Sequence, residues 1–477
     1  MPVADESPFE LYVRLTGCSR SSFLLESGGA NSKLAQYSYI GCEPYQTFSA
    51  KGRRYEMRNR DGCVGGEGNT FAKLAESFGP ISYERLPHFP PFLGGAVGFF
   101  SYDMARQFER IPELAVDDLQ LPDMVFLFVE VFAAIDHVSN VVHVVFAPEP
   151  KRWSRESRDQ LLREGQERLR EWHAHLVQAD RHVNMIRDWP HVVPASIEGQ
   201  QSRAQYIDRV RHCQELIAAG DIYQANLSHR FTMDLPQAFS EDHHEHGGCW
   251  YQRIRHVNPS PFSALLIVDD YTIVSNSPER LVRVEGQRVD MRPIAGTRPR
   301  GATVHEDRRL IEELLSSPKE RAEHIMLVDL VRNDLGRVCQ SGTIVADQLM
   351  TVERYSHVSH LVSNISGRIR QDVSAFDVLR AAFPGGTITG VPKVHCMEII
   401  EQLEPVRRGV YTGSLGYISW TGAMDMNILI RTVLLTSKQG YLQVGAGIVA
   451  DSIPCQEYDE TVHKAEAFFQ ALSTRKE

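Results

Sequence analysis

Apolar residues along the chain recur in two rhythms. Over residues 8–150 they come in short runs bounded by turn formers, as at 37–41 and in the dense stretch 124–134, which predicts β-strands with core-forming material of their own. Residues 151–180 are densely charged, and Leu161, Leu162, Leu169 and Trp172 stand at helical spacing, predicting an amphipathic connecting helix. Trp189-Pro190 and Pro194 mark 185–203 as an irregular linker. Beyond it, strand-like runs (263–268, 272–275, 415–420, 428–435, 441–444) interleave with helical ones (203–219, 304–315, 320–330, 375–382, 393–402, 457–472). The last three strands read as a meander and not as βαβ units, which predicts an α+β fold. The expected organisation is an N-terminal region at 8–150, a connecting helix and linker at 151–202, and a larger unit at 203–472. No repeat of 20–50 residues is visible.

Composition narrows the function classes. With 477 residues, 42% of them hydrophobic, the chain can bury a large core. A net charge of -10 without a long basic run argues against a nucleic-acid partner. No apolar run approaches the ~18 residues that span a bilayer, and no basic-then-apolar leader opens the chain, so no membrane association and a cytoplasmic location are expected. The eight cysteines contain no Cys-x-x-Cys pair, so neither a disulfide framework nor a zinc site is expected. Asp242-His243-His244-Glu245-His246 is read as a solvated loop, since adjacent residues rarely converge on one ion.

Two carboxylate pairs share one spacing. Glu320 and Glu323, and again Glu457 and Glu460, stand three apart, so each pair presents two acids on one helix face. Gly445-Ala446-Gly447-Ile448 offers a strand end where a ligand can approach the backbone. Four acids beside such a cleft suggest a divalent cation, and carboxylate oxygens suit Mg²⁺. Taken alone, either pair reads as solvated helix acids. Arg292-Pro293-Ile294-Ala295-Gly296-Thr297-Arg298-Pro299-Arg300-Gly301 reads as a tight loop whose donors and guanidinium groups suit a carboxylate-bearing ligand.

These segments stand in order with Glu323-His324-Ile325-Met326-Leu327-Val328-Asp329, Phe383-Pro384-Gly385-Gly386-Thr387-Ile388-Thr389-Gly390 and Gly409-Val410-Tyr411-Thr412-Gly413. Over roughly the C-terminal 265 residues the sequence resembles the chorismate-binding enzymes, specifically the large subunits of aminodeoxychorismate synthase and anthranilate synthase. Phe23-Leu24-Leu25-Glu26-Ser27 and Gly94-Gly95-Ala96-Val97-Gly98-Phe99 extend the likeness to the N-terminal region. The resemblance implies two large, mostly antiparallel sheets packed as a layered sandwich with helices outside. It also implies Mg²⁺ held by Glu320, Glu323, Glu457 and Glu460, and contacts to the enolpyruvyl side chain from Tyr411, Arg431, Gly447 and Lys464, with Gly445 in the same glycine strand. Gly296, Thr297, His360 and Thr387 would line the ring pocket, and Glu279 would act as general acid on the C4 hydroxyl. An ion pair between Glu279 and Arg280 or Arg283 is the plainer alternative. Leu25, Glu26 and Ser27 match a tryptophan effector pocket, unless Leu24 and Leu25 simply fill a strand core.

Two positions choose among family members. Gln224 stands where water-using relatives, the isochorismate and salicylate synthases, carry a lysine base; glutamine cannot act as one, which favours ammonia as nucleophile. Ala295 stands where well-known aminodeoxychorismate synthases carry a nucleophilic lysine, and matches anthranilate synthases instead, as does Glu353-Arg354-Tyr355. Gly220-Asp221-Ile222-Tyr223-Gln224-Ala225-Asn226 and Met424-Asp425-Met426-Asn427 match the aminodeoxychorismate branch, towards which the balance leans. The expected reaction is Mg²⁺-dependent amination of chorismate to 4-amino-4-deoxychorismate, with anthranilate formation as alternative and, further off, isochorismate or salicylate formation with water or a silent chorismate or tryptophan sensor. No cysteine sits in a Gly-x-Cys-x-Gly elbow, so a separate glutamine amidotransferase subunit is expected to supply ammonia.

Overall fold

The computed structural model describes residues 6–17, 19–28, 36–79, 83–177, 194, 196–235, 243–257, 259–355 and 358–473, with only the backbone at 243–246, 471 and 473. Two antiparallel sheets dominate it. The eleven-stranded sheet runs in the order Ser196–Gly199, Gln224–Asp234, Gln439–Ile448, Thr432–Thr436, Tyr271–Ser277, Phe262–Val268, Ser21–Glu26, Tyr37–Cys42, Val131–Asp136 and Val141–Phe146, with Gly390–Val391 beside Gln224–Asp234. The twelve-stranded sheet takes Ile294–Pro299, Val358–Arg368, Arg288–Met291, Arg280–Glu285, Met424–Asn427, Ser414–Ser419, Gly95–Phe100, Met124–Val129, Gln46–Lys51, Arg54–Asn59 and Gly62–Glu67, with Val345–Arg354 beside Val358–Arg368.

Side-chain alternation along a strand sorts the core. Phe23, Val97, Leu127 and Leu266 join one cluster between the sheets. Their neighbours Leu24 and Leu265 pack outward under Phe9, Trp172 and Trp250, and Ala96, Phe126 and Phe128 pack outward under Phe71, Val331 and Leu379. Strands buried on both faces read as continuous apolar runs, which is why 124–134 showed no alternation.

Each sheet draws strands from both ends of the chain. Phe23 pairs with Leu266 and Val97 with Tyr417, so residues 8–150 supply core material that is shared with the C-terminal region and not enclosed by it. The layered α+β expectation holds, and several element assignments are corrected. The 428–435 run is not one strand: residues 428–431 carry the chain from Met424–Asn427 in one sheet to Thr432–Thr436 in the other. The last strands are therefore two hairpins in different sheets and not one meander. Residues 294–299, expected as a loop, form a strand with an irregularity between Ile294 and Thr297. Ser196–Gly199, inside the expected linker, is an edge strand; residues 185–193 lie outside the described residues. His243 opens the helix His243–Val257, which corrects the loop expected there, while Asp242 lies outside the described residues. In the Arg158–Val177 helix Leu161 and Trp172 are buried, whereas Leu162 is exposed. No described helix is long and apolar enough to cross a membrane.

Candidate active site

Glu279 follows the strand Tyr271–Ser277 and is pinned through its backbone: its carbonyl accepts the Ile428 N–H at 3.0 Å. Its side chain is 5% exposed and accepts the Thr387 hydroxyl at 2.9 Å. Burial pushes the carboxyl up to about 7, partly offset by the Thr387 and Ile294 hydrogen bonds. The ion-pair alternative does not form, because Arg280 is committed to Asp425 at 2.8 and 2.9 Å and Arg283 to Glu285. Among the described residues no cation stands beside Glu279, and a buried acid so placed keeps its proton near neutral pH, as a general acid requires.

The strand Ile294–Pro299 brings Ala295, Gly296 and Thr297 to the same region. Gly296 has φ +81°, and a Cβ there would come within 2.9 Å of the Glu320 carboxylate, so glycine is needed where the strand bulges. The bulge restores pairing at Thr297 opposite His360, whose Nδ1 lies 2.9 Å from the Thr297 hydroxyl. Burial, then the charge of Arg431, lowers the His360 pKa to about 4, so the ring is neutral at pH 7.

Arg431 occupies the crossing between sheets with φ +52°, a left-handed conformation that costs a non-glycine residue about 1 kcal/mol. Its backbone carbonyl accepts from Asn276, and among the described residues nothing accepts from its guanidinium. A half-buried guanidinium held at that cost and left without a carboxylate suits an anionic ligand. Tyr411 lies in a turn whose next residue, Thr412, also has positive φ. A Cβ at Gly445 would stand 2.7 Å from the Tyr411 hydroxyl and 2.5 Å from Asn226 Oδ1; one at Gly447 would stand 3.0 Å from Gln224 Nε2. The two glycines thus keep the strand floor open beneath Tyr411, Asn226 and Gln224. Lys464 donates to the Gly445 carbonyl at 2.8 Å and pairs with Glu460 at 2.6 Å, as their shared helix face predicts.

The four acids come from two helices, Pro318–Gly336 and Pro454–Ser473. Burial raises the Glu323 pKa, and the charges of Glu320 and Glu457 raise it further; burial and Glu460 raise that of Glu457. Mutual repulsion among these carboxylates, Glu320, Glu323 and Glu457 half-buried and Glu460 exposed, is the condition a divalent cation relieves, and the oxygen donor set fits Mg²⁺. In this arrangement Glu320 is bonded to Arg298 at 2.8 Å and Glu460 to Lys464, and no three described acid, histidine or cysteine side chains converge at ligand geometry.

Leu25, Glu26 and Ser27 line a separate cavity of about 540 Å³, together with Tyr37, Tyr39, Phe262 and Tyr417. Leu24 packs in the core at 0% exposure, so only its neighbour faces the space. The Glu26 carboxylate is engaged by Tyr251 at 2.7 Å and Arg255 at 2.6 Å.

Sequence reasoning passed over Tyr355, whose ring packs edge-on to His360 at 5.5 Å, and Arg298, which holds Glu320. Tyr355 lay in the Glu353-Arg354-Tyr355 phrase without a role; Arg298 was read only as one of three loop guanidiniums.

The family model for the chorismate binding enzyme matches residues 20–470. Anthranilate synthase component 1 of Thermus thermophilus is 40% identical over 474 residues, covering 98% of this chain and 95% of that one. Aminodeoxychorismate synthase component 1 of Bacillus subtilis is 38% identical over 478 residues, covering 100% and 97%. The crystal structure of anthranilate synthase component I from Streptococcus pneumoniae superposes with TM-score 0.78 at 32% identity, over 91% of this chain and 92% of that chain. With the site geometry and the match running together along nearly the whole length, the chain belongs to the chorismate-binding enzyme family.

Proposed function

We propose that this chain aminates chorismate with ammonia to 4-amino-4-deoxychorismate, the ammonia coming from a separate glutamine amidotransferase subunit. The observation that carries an acid-assisted substitution is Glu279, buried and hydrogen-bonded to Thr387 with no cation beside it among the described residues. Arg431, Tyr411 and Lys464 hold the enolpyruvyl carboxylate, while Gly296, Thr297, His360 and Thr387 border the ring. Glu279 protonates the C4 hydroxyl as its C–O bond breaks. Ammonia forms the new C–N bond and gives up one proton, so water is the net leaving group. Mg²⁺ held by Glu320, Glu323, Glu457 and Glu460 would supply positive charge for the ring carboxylate. Gln224 has no basic atom to deprotonate water, which supports ammonia as nucleophile. Ala295 offers no nucleophilic atom, so C4 amination proceeds without a lysine adduct at this position.

Anthranilate formation is the second reading, favoured by Ala295 and by the name of the Thermus relative. The cavity at Leu25, Glu26 and Ser27 supports tryptophan as effector in either case. Purified chain incubated with chorismate, Mg²⁺ and ammonium, with and without an aminodeoxychorismate lyase, separates the readings. Para-aminobenzoate formed only when the lyase is present supports C4 amination. Anthranilate formed by the chain alone refutes it.

A further inference from the structure

Glu404 and Arg408, 5% and 3% exposed, form a charged pair outside the site described above. All five guanidinium donors of Arg408 are used. Nε and one Nη2 hydrogen reach the two Glu404 oxygens at 3.0 and 2.7 Å, and the other Nη2 hydrogen reaches the Asn226 carbonyl at 2.6 Å. Nη1 donates to the Ile388 carbonyl at 2.8 Å and to the Thr412 hydroxyl at 3.3 Å. Glu404 Oε1 also accepts the Ser228 N–H at 2.9 Å, and the guanidinium lies 4.9 Å from the Tyr102 ring centre and 5.6 Å from that of Tyr411.

Stability alone is a weak reason for such a pair, since desolvation of two charges commonly cancels their attraction. Its acceptors point elsewhere. Asn226 stands two residues from Gln224 on one strand face, Ile388 follows Thr387, and Thr412 follows Tyr411. Three segments distant in sequence, each ending in a pocket residue, meet on one planar fork.

We infer that Arg408 is a positioning residue for the substrate pocket, fixing Gln224, Thr387 and Tyr411 relative to one another, with Glu404 holding the guanidinium plane. The inference rests on the chorismate reading. A lysine ammonium has three donors on a flexible stem and cannot reproduce a five-point planar fork. A displacement of about 1 Å in the groups that hold and orient a substrate costs on the order of 10²-fold in kcat/KM.

The test compares Arg408→Lys and Glu404→Gln with wild type in steady-state kinetics, varying chorismate and ammonium separately, alongside thermal unfolding. Loss of folded enzyme lowers kcat and leaves both KM values unchanged. Positioning predicts a tenfold or larger rise in KM for chorismate in Arg408→Lys and a smaller rise in Glu404→Gln, with KM for ammonium unmoved. An unchanged chorismate KM in the folded variants overturns the inference; should Arg408→Lys fail to fold, Glu404→Gln decides it alone. The underlying reading fails separately: wild-type enzyme that turns chorismate over with water refutes amination, and the chorismate KM comparison is then made on that reaction.

Discussion

Glu279→Gln should remove activity and raise stability together. The glutamine side chain has the same shape, keeps an acceptor for the Thr387 hydroxyl, and cannot ionise. Wild-type Glu279 has its pKa raised from 4.5 to about 7 by burial, so the folded protein holds a proton that the unfolded chain releases. The stabilisation from that retained proton is complete below about pH 4.5 and is lost as pH rises through about 7. A displacement of that size corresponds to about 3 kcal/mol at pH 8.5, an upper bound on the advantage of the neutral glutamine. Thermal unfolding of both proteins at pH 5 and pH 8.5 measures it: the variant should gain several degrees relative to wild type at the higher pH and little at the lower. General acid catalysis contributes about 10²–10⁴-fold, so kcat should fall by that factor while chorismate binding persists. For wild type, kcat/KM referred to free ammonia should decline above about pH 7, and the variant should lack that limb. A variant less stable than wild type at pH 8.5, or one retaining full kcat, would refute the picture of a neutral buried acid.

Arg431→Ala should raise KM for chorismate about 10–100-fold with a smaller change in kcat, because among the described residues its guanidinium has no acceptor to leave behind; equilibrium binding of chorismate checks it. Glu323→Gln should abolish turnover without unfolding the chain, and chelation of Mg²⁺ in wild type should do the same reversibly; near-normal turnover of the variant in excess Mg²⁺ would remove Glu323 from the metal site. Lys393 donates to Asp334 at 2.6 Å in a nearly buried ion pair, so Lys393→Met should cost about 3–5 kcal/mol by leaving that carboxylate unpaired, read as a fall in the denaturation midpoint.

Elements with local punctuation were the ones legible in the sequence. The helix Arg203–Ala219 is bounded by a Ser202/Gln205 capping box and by Gly220 in the left-handed region, and Ala375–Ala382 by a Ser374/Asp377 box, so both matched their expected bounds. The crossing at 428–431 was hidden because Ile428, Leu429 and Ile430 look like strand residues, and the left-handed turn falls on Arg431, where no glycine announces it. The strand at 294–299 was hidden for the opposite reason: Pro293 and Gly296 signal a loop, yet the glycine serves a bulge inside a strand. Site residues were read mainly through the phrases they share with a family. What those phrases did not carry was the pairing of Arg280 with Asp425 and of Arg298 with Glu320, because partners distant along the chain leave no periodic trace.

The interleaving of early and late strands sets a timetable for biosynthesis. Gly95–Phe100 pairs with Met124–Val129 on one side, but its other edge waits for Ser414–Ser419, about 320 residues later. At ribosomal rates of roughly 5–20 residues per second that edge stands open for roughly 15–60 s, and Ser21–Glu26 waits similarly for Phe262–Val268. These are apolar strands with unpaired backbone, the condition that recruits chaperones or seeds edge-to-edge association. The nascent N-terminal region therefore emerges as an unfinished pair of half-sheets, and a gene cut between residues 150 and 203 would yield two fragments that each lack the other's strands.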